Sequence, residues 1–170
     1  MIAPPRLELL CAVHARPLER FERANRAFFA ARIGDRGDAY FAQFDALLAA
    51  RVQENQEGTS LYFVLVDHAG EVLGRVNLSD VDDPALTELG FRVDEAVQGR
   101  GLATAGVTEA LEIAAARGVR TVAARAASDN LGSRRVLERC GFAPTGLVDA
   151  PVGWSQAFVG YRKDLGVPGG

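Results

Sequence analysis

The sequence predicts a mixed α/β domain: a mostly antiparallel sheet that contains one parallel strand pair, with helices on both faces. Three observations carry this. Segments alternating at period two interleave with segments whose apolar residues recur at helical spacing. LYFVLV and VLGRVNL flank Asp67, His68, Ala69 and Gly70, a short polar loop ending in glycine, which is a hairpin signal. A long helical stripe separates strand-like residues 86–93 from Thr121–Ala127, so these two strands are expected to run parallel through a helical crossover. With 170 residues and 48% hydrophobic content the chain can bury one substantial core, and no shift in composition divides it. One domain over residues 1–170 is expected, with 166–170, including VPGG, as a frayed tail.

The elements follow in order. Residues 6–13, RLELLCAV, alternate well enough for an edge strand. Pro17 opens a helix whose Phe21, Ala24, Phe28 and Ala31 fall on one stripe. A break from Gly34 to Gly37 precedes a second helical stretch with Phe41, Phe44, Leu47 and Leu48, closing near Gly58. After the hairpin and an Asp82, Asp83, Pro84 turn, Leu89, Phe91 and Val93 share one strand face, and Glu88, Gly90 and Arg92 the other. A helix with the stripe Ala103, Val107, Ala110, Leu111 and Ala114 ends at Arg117 and Gly118, a cation followed by a glycine cap. TVAARAA reads as an interior strand buried on both faces. Ser128, Asp129 and Asn130 supply cap chemistry for a helix that stops at Gly141, and strands near 145–150 and 156–163 complete the chain.

Charge and composition narrow the function. A net charge of −3 argues against a general nucleic-acid binder. No apolar run approaches the ~20 residues needed to span a bilayer, and the first residues lack a secretory pattern, so no membrane role and a cytoplasmic home are expected. Two cysteines, Cys11 and Cys140, make no disulfide framework and have no metal-ligand spacing, so no metal is expected. His14 and His68 have no partner set for triad chemistry, and Cys140 reads as a small buried hydrophobe.

The most distinctive stretch is AVQGRGLATAG, residues 96–106, immediately before the long helix. A dinucleotide GxGxxG fails because Thr104 stands three positions after Gly101, and a GxxxxGK[ST] phosphate loop fails because Val107 occupies the lysine position. Two readings remain. Backbone amides exposed at a helix N-terminus suit a phosphate or pyrophosphate, and the same glycines would equally make a tight strand-to-helix connection.

Gln98, Gly99, Arg100, Gly101, Leu102 and Ala103 resemble the Q/RxxGxG/A signature of the GNAT superfamily of N-acetyltransferases, whose loop receives the pyrophosphate of acetyl-CoA. NLGSRRVLERCGF, residues 130–142, resembles the NxxSxxVLxxxGF segment of the RimJ and RimL branch, which acetylates the N-termini of ribosomal proteins. The hairpin and the strand after it are similar to the same branch, so the resemblance runs from residue 6 to residue 165. It implies a GNAT-like domain with a splayed parallel pair, using acetyl-CoA as co-substrate and transferring directly to a primary amine through a ternary complex. A protein or peptide N-terminus is the first acceptor it implies. A small amine such as an antibiotic, polyamine or amino acid is the alternative, and a non-catalytic acyl-CoA-binding protein the second. A homodimer is left open.

The site residues follow from the chemistry and the resemblance together. Leu137 stands where many relatives carry a tyrosine that assists the departing thiolate, so Ser133, on the inward helix face with Val136, Leu137 and Cys140, is the candidate donor; a serine bonding its own backbone is the bland reading. Glu88 is the candidate general base, against a solvated or ion-paired glutamate, with Arg92 as one such partner. An unpaired amide near Phe91, Arg92 or Val93 would serve the developing negative charge on the carbonyl oxygen. Gly90 suggests a bulge that parts the strand from its neighbour and opens a slot for a pantetheine arm, or else a packing glycine. Asn130 is expected to bond that arm or cap the helix, and Arg134 and Arg135 to reach phosphate or remain solvated. Phe29, Tyr40, Asn77 and Trp154 are candidates for the acceptor mouth, the two aromatics before Gly58 being core residues on the bland reading.

Overall fold

The computed structural model describes residues 3–83, 85 and 87–166. Seven strands join in one sheet: β1 (Arg6–Leu9), β2 (Leu61–Val66), β3 (Val72–Ser79), β4 (Glu88–Val93), β5 (Thr121–Ala127), β6 (Ala143–Val148) and β7 (Phe158–Asp164). Their order is β1-β2-β3-β4-β5-β7-β6. Among the described residues only β4 and β5 pair in parallel. The helices among the described residues are α1 (Ala15–Ala24), α2 (Arg26–Ile33), α3 (Asp38–Ala42), α4 (Phe44–Glu57), α5 (Leu102–Ala116) and α6 (Leu131–Arg139). Leu86, expected to begin β4, and residues 167–170 of the expected tail lie outside the described residues.

Local chemistry sets the element ends. The β2–β3 turn is fixed by Asp67, whose Oδ1 accepts from the amides of Ala69 (2.8 Å) and Glu71 (2.9 Å), an Asx turn that closes the expected hairpin. The edge strand expected over 6–13 stops at Leu9, because a helical turn over Ala12–His14 is locked by His14: its Nδ1 accepts from the Cys11 amide (3.1 Å) and its Nε2 meets Glu8 at 3.0 Å. Each of the two expected N-terminal helices is split, at Asn25 and at Gln43.

The buried face of α1 and α2 also differs from the expected stripe. Ala24 and Ala31 are exposed, whereas Leu18, Phe21, Glu22, Asn25 and Phe29 are buried. These five sit at helical spacing, so the true stripe carries two polar residues that apolar periodicity passes over. β5 needs a second correction. It is interior in strand order, but Ala123 and Arg125 are exposed, so one of its faces is open.

Two cores result. On one face α5 and α6 cover Leu61, Phe63, Val76, Leu78, Leu89, Val122 and Ala124. On the other, α1, α2 and α4 bury Leu18, Phe21, Phe29, Phe44 and Leu48 against Tyr62, Val64 and Val66. This second cover stops at β3, and β4 and β5 beyond it line a cavity.

Candidate active site

Among the described residues β4 and β5 pair at two positions, Glu88 with Ala123 and Leu89 with Ala124, and then part. The cause is not the bulge suggested by Gly90, since β3 and β4 keep unbroken register from Ser79–Glu88 to Gly74–Val93. Nor does Gly90 pack beneath an aromatic ring: a Cβ built there meets nothing within 4 Å. The strands diverge because β4 stays with β3 while β5 stays with β7, paired along its full length. The Thr87 carbonyl accepts from the Ala123 amide at 2.9 Å, so strand alternation turns the amides of Leu89, Phe91 and Val93 toward β5. Beyond Leu89 they face the open slot.

Two cavities meet through this slot. The larger, about 620 Å³, is lined by the end of β4 (Phe91, Arg92, Val93), by Gln98, Gly99, Gly101, Leu102, Ala103 and Thr104, and by the first turns of α6. Its floor is built by backbone. Gly99 and Gly101 take φ of +73° and +77°, a region that costs most residues about 1–2 kcal/mol and glycine little. The first α5 bond runs from the Ala105 amide to the Gly101 carbonyl (3.0 Å), so the amides of Leu102, Ala103 and Thr104 precede the helical ladder and point out of the helix end. Gln98 fastens the loop to β4 by donating from Nε2 to the Val93 carbonyl (2.8 Å).

The smaller cavity, about 360 Å³, lies on the open face of β3, β4 and β5. Asn77, Glu88, Gly90, Arg92 and Arg125 line it, with Arg32 and Arg36 from the end of α2 and the loop after it, and Trp154. A Cβ on Gly34 would lie 2.7 Å from the Trp154 ring, so the chain between α2 and α3 rests directly on the indole. Beneath the cavity sits Glu22, its side chain 1% exposed, within 2.7 Å of Arg75, 3.1 Å of Arg92 and 3.4 Å of Arg36. Burial alone would raise the Glu22 carboxyl, but Arg75, Arg36 and Arg92 reverse this and hold it below the usual carboxylate range. Burial, aided by the charge of Arg36, pushes Arg92 down to about 10.

The expected site residues distribute as follows. Asn130 and Ser133 stand on the boundary and line both cavities; Asn130 also caps α6, its Oδ1 accepting from the Ser133 amide at 3.2 Å. Glu88 faces the smaller cavity and is ion-paired, with Arg125 at 2.9 Å rather than with Arg92. Leu137 is buried and reaches the cavity wall without a polar group. Phe29 lines the larger cavity, its ring 4.7 Å from the Arg92 guanidinium, and Tyr40 supports Arg75 through its hydroxyl (3.3 Å) without lining either cavity. Arg100 lines neither. Arg134 is also directed elsewhere, donating to the Tyr161 hydroxyl (3.0 Å) and the Ser128 carbonyl (2.9 Å); Arg135 and Arg139 line the larger cavity instead.

Sequence reasoning missed Glu22, Arg32, Arg36, Arg75 and Arg125. A signal was present: arginines inside the apolar strands VLGRVNL and TVAARAA, and a glutamate at a buried helical position, each need a charged partner nearby. Among the described residues no three His, Cys, Asp or Glu side chains converge on a metal position, and no helix is long and apolar enough to cross a membrane.

Free backbone amides at the α5 N-terminus beside a splayed parallel pair fit the expectation of an acyltransferase. A family model described as an acetyltransferase (GNAT) domain matches residues 11–143, and the chain belongs to that family, whose members are N-acetyltransferases that use acetyl-CoA. No curated protein matches the chain by sequence. Among solved structures, the ribosomal-protein-S5-alanine acetyltransferase from Vibrio fischeri is similar with a TM-score of 0.88 at 20% identity, over 96% of this chain and 94% of that one. The RimL ribosomal L7/L12 alpha-N-protein acetyltransferase in complex with coenzyme A aligns with a TM-score of 0.83 at 18% identity, over 96% and 98%. Spermidine N-acetyltransferase from Vibrio cholerae, in complex with CoA and spermine, gives 0.74 at 18%, over 95% and 96%. At these identities the likeness is one of fold.

Proposed function

We propose that this chain transfers an acetyl group from acetyl-CoA directly to a primary amine, the N-terminal amine of a protein or peptide being the acceptor class. The observation that carries the reading is the slot: the parting of β4 and β5 after Leu89 joins a backbone-lined anion cradle to a second cavity containing a carboxylate. The acceptor class is supported by two of the solved structures, named as acting on ribosomal proteins, one of them as an alpha-N-protein acetyltransferase.

Acetyl-CoA supplies the acyl group as a thioester; a C–N bond forms to the amine as the C–S bond breaks. The amides of Leu102, Ala103 and Thr104 would hold the pyrophosphate at the α5 N-terminus, where the helix dipole favours an anion, with Arg135 and Arg139 adding charge from α6. The amides of Phe91 and Val93 would bond the pantetheine arm and the carbonyl oxygen. Glu88 takes the proton leaving the amine, directly or through water, once Arg125 swings off or shares the carboxylate. Ser133, on the boundary of the cavities, donates a hydrogen bond to the leaving sulfur.

Acetyl-CoA should raise the melting temperature, and Gly101→Asp should abolish that rise; no shift at millimolar ligand would end the coenzyme reading. With N-terminal peptides and a thiol-release readout, Glu88→Gln should lower kcat/KM by about 10²-fold or more, and Ser133→Ala should lower kcat. Unchanged rates across pH in both variants would refute the assigned roles.

A further inference from the structure

The smaller cavity holds more positive charge than its own structure consumes. The Glu88–Arg125 pair is self-contained. Of the other four guanidinium groups at the cavity, Arg36, Arg75 and Arg92 share a single carboxylate, that of Glu22, while Arg32 lies over the Phe28 ring and has no carboxylate partner among the described residues. Arg32 and Arg92 also border the larger cavity and so face the coenzyme side, whereas Arg36 and Arg75 border the smaller one alone. Arg75 donates from Nη1 to Glu22 at 2.7 Å and to the Tyr40 hydroxyl at 3.3 Å. Arg36 is held less closely. Its contact with Glu22 is a long 3.4 Å, and its Nε is buried with no hydrogen-bond partner among the described residues. One other side-chain atom shares that condition, Asn77 Oδ1, which lines the same cavity. Leaving a buried donor and a buried acceptor unpaired is costly, so the cavity offers a cationic donor and a neutral acceptor to something that enters it.

We propose, on the reading of the smaller cavity as the amine site, that the acceptor carries a carboxylate on the same small segment as its amine: Arg36 receives the carboxylate and Asn77 Oδ1 accepts a hydrogen bond from the amine. A guanidinium presents paired donors matched to a carboxylate, which makes it a reader of that group rather than a diffuse positive charge. The same unspent charge repels a polycation. A cavity of about 360 Å³ is within the range of a small-ligand site, which fits a free amino acid or the first residue of a peptide. The carboxylate then comes either from the amino acid itself or from an acidic first side chain.

The test uses the full chain with acetyl-CoA and matched acceptors. Alanine against alaninamide reads the free carboxylate, and Asp-Ala-amide against Asn-Ala-amide reads the side chain. In at least one of these pairs the carboxylate member should exceed its neutral counterpart in kcat/KM by about tenfold or more, and spermidine should be the poorest acceptor. Arg36→Gln should reduce that ratio to less than about threefold, with Arg36→Lys intermediate; a retained coenzyme-induced melting shift shows each variant folded. Equal rates within both pairs, or a preference for spermidine, would overturn the proposal. So would phosphoethanolamine exceeding β-alanine about tenfold, which would assign the site to phosphate. Calorimetry separates this proposal from the transfer reading, using N-acetyl-alanine against N-acetyl-alaninamide and N-acetyl-Asp-Ala-amide against its Asn counterpart on the coenzyme A complex. Preferred binding of a charged product without turnover of any amine would leave the carboxylate site standing and remove catalysis. Turnover with neither a kinetic nor a binding preference would do the reverse.

Discussion

The two cavities are built by different means. The larger takes its character from backbone: two glycines in the left-handed region, amides ahead of the first α5 hydrogen bond, and the open edge of β4. The smaller takes its character from side chains brought from α1, α2, β3, β4, β5 and the loops between them, organised around a buried carboxylate. A backbone site tolerates any side chain that does not block it and depends on conformation. A side-chain site depends on charge balance, and one substitution beneath it can unsettle the whole.

The sharpest way to break this contrast is Glu22→Gln, which leaves Arg75, Arg92 and Arg36 facing one another with no anion. Losing one partner of a buried ionic cluster costs about 3–5 kcal/mol, readable in urea unfolding, and an effect below ~1 kcal/mol would mean that the cluster is well hydrated. Acid should act on the same group. The folded-state pKa of Glu22 lies below the unfolded one, so its contribution is present above the usual carboxylate range and is lost as pH falls through the folded value. Unfolding free energies measured from pH 7 down to 3 should therefore fall more steeply for wild type than for Glu22→Gln.

Asn25→Ala comes next. It removes two donated bonds, to the Phe21 carbonyl (3.0 Å) and Asp94 Oδ2 (3.0 Å), and one accepted from the Glu95 amide (2.9 Å), for a loss of about 1–3 kcal/mol. Gly101→Ala should cost about 1–2 kcal/mol through its φ, with no added clash, since its Cβ would have open space. It should weaken coenzyme binding more than it alters acceptor KM; an acceptor effect of equal size would blur the distinction between the cavities. Smallest is Glu88→Gln read as stability: the pair with Arg125 is 40% exposed on each side, so the change should stay within about 1 kcal/mol even though activity falls.

The same contrast governs what the sequence could reveal. The shape of the glycine loop was legible because its requirements are local: glycines at Gly99 and Gly101, a helix starting at Leu102 and a glutamine at Gln98 lie within a few residues of one another. The hairpin was legible for the same reason, and the parallel pair because a helix between two strands makes a crossover. Glu22 was not, because its meaning depends on Arg36, Arg75 and Arg92, up to 70 residues away, and because a glutamate on a helix reads as solvent-facing until its stripe is placed correctly. The stripe was displaced for a related reason: Ala24 and Ala31 supplied apolar matches on an exposed face, while Glu22 and Asn25 withheld them on the buried one. The parting of β4 from β5 was anticipated, and its cause was not, since it arises from competing strand pairings rather than from Gly90 itself.

Asn25 carries a consequence for any attempt to change the acceptor. It sits at the break between α1 and α2 and holds Asp94 and Glu95, four and three residues before Gln98, so the helices over the smaller cavity and the glycine loop share one hinge pin. Grafting another chain's 15–57 segment to swap specificity should succeed only when the incoming segment supplies an equivalent amide at that joint; without it, the transplant would loosen the grip on the donor while trying to retune the recipient.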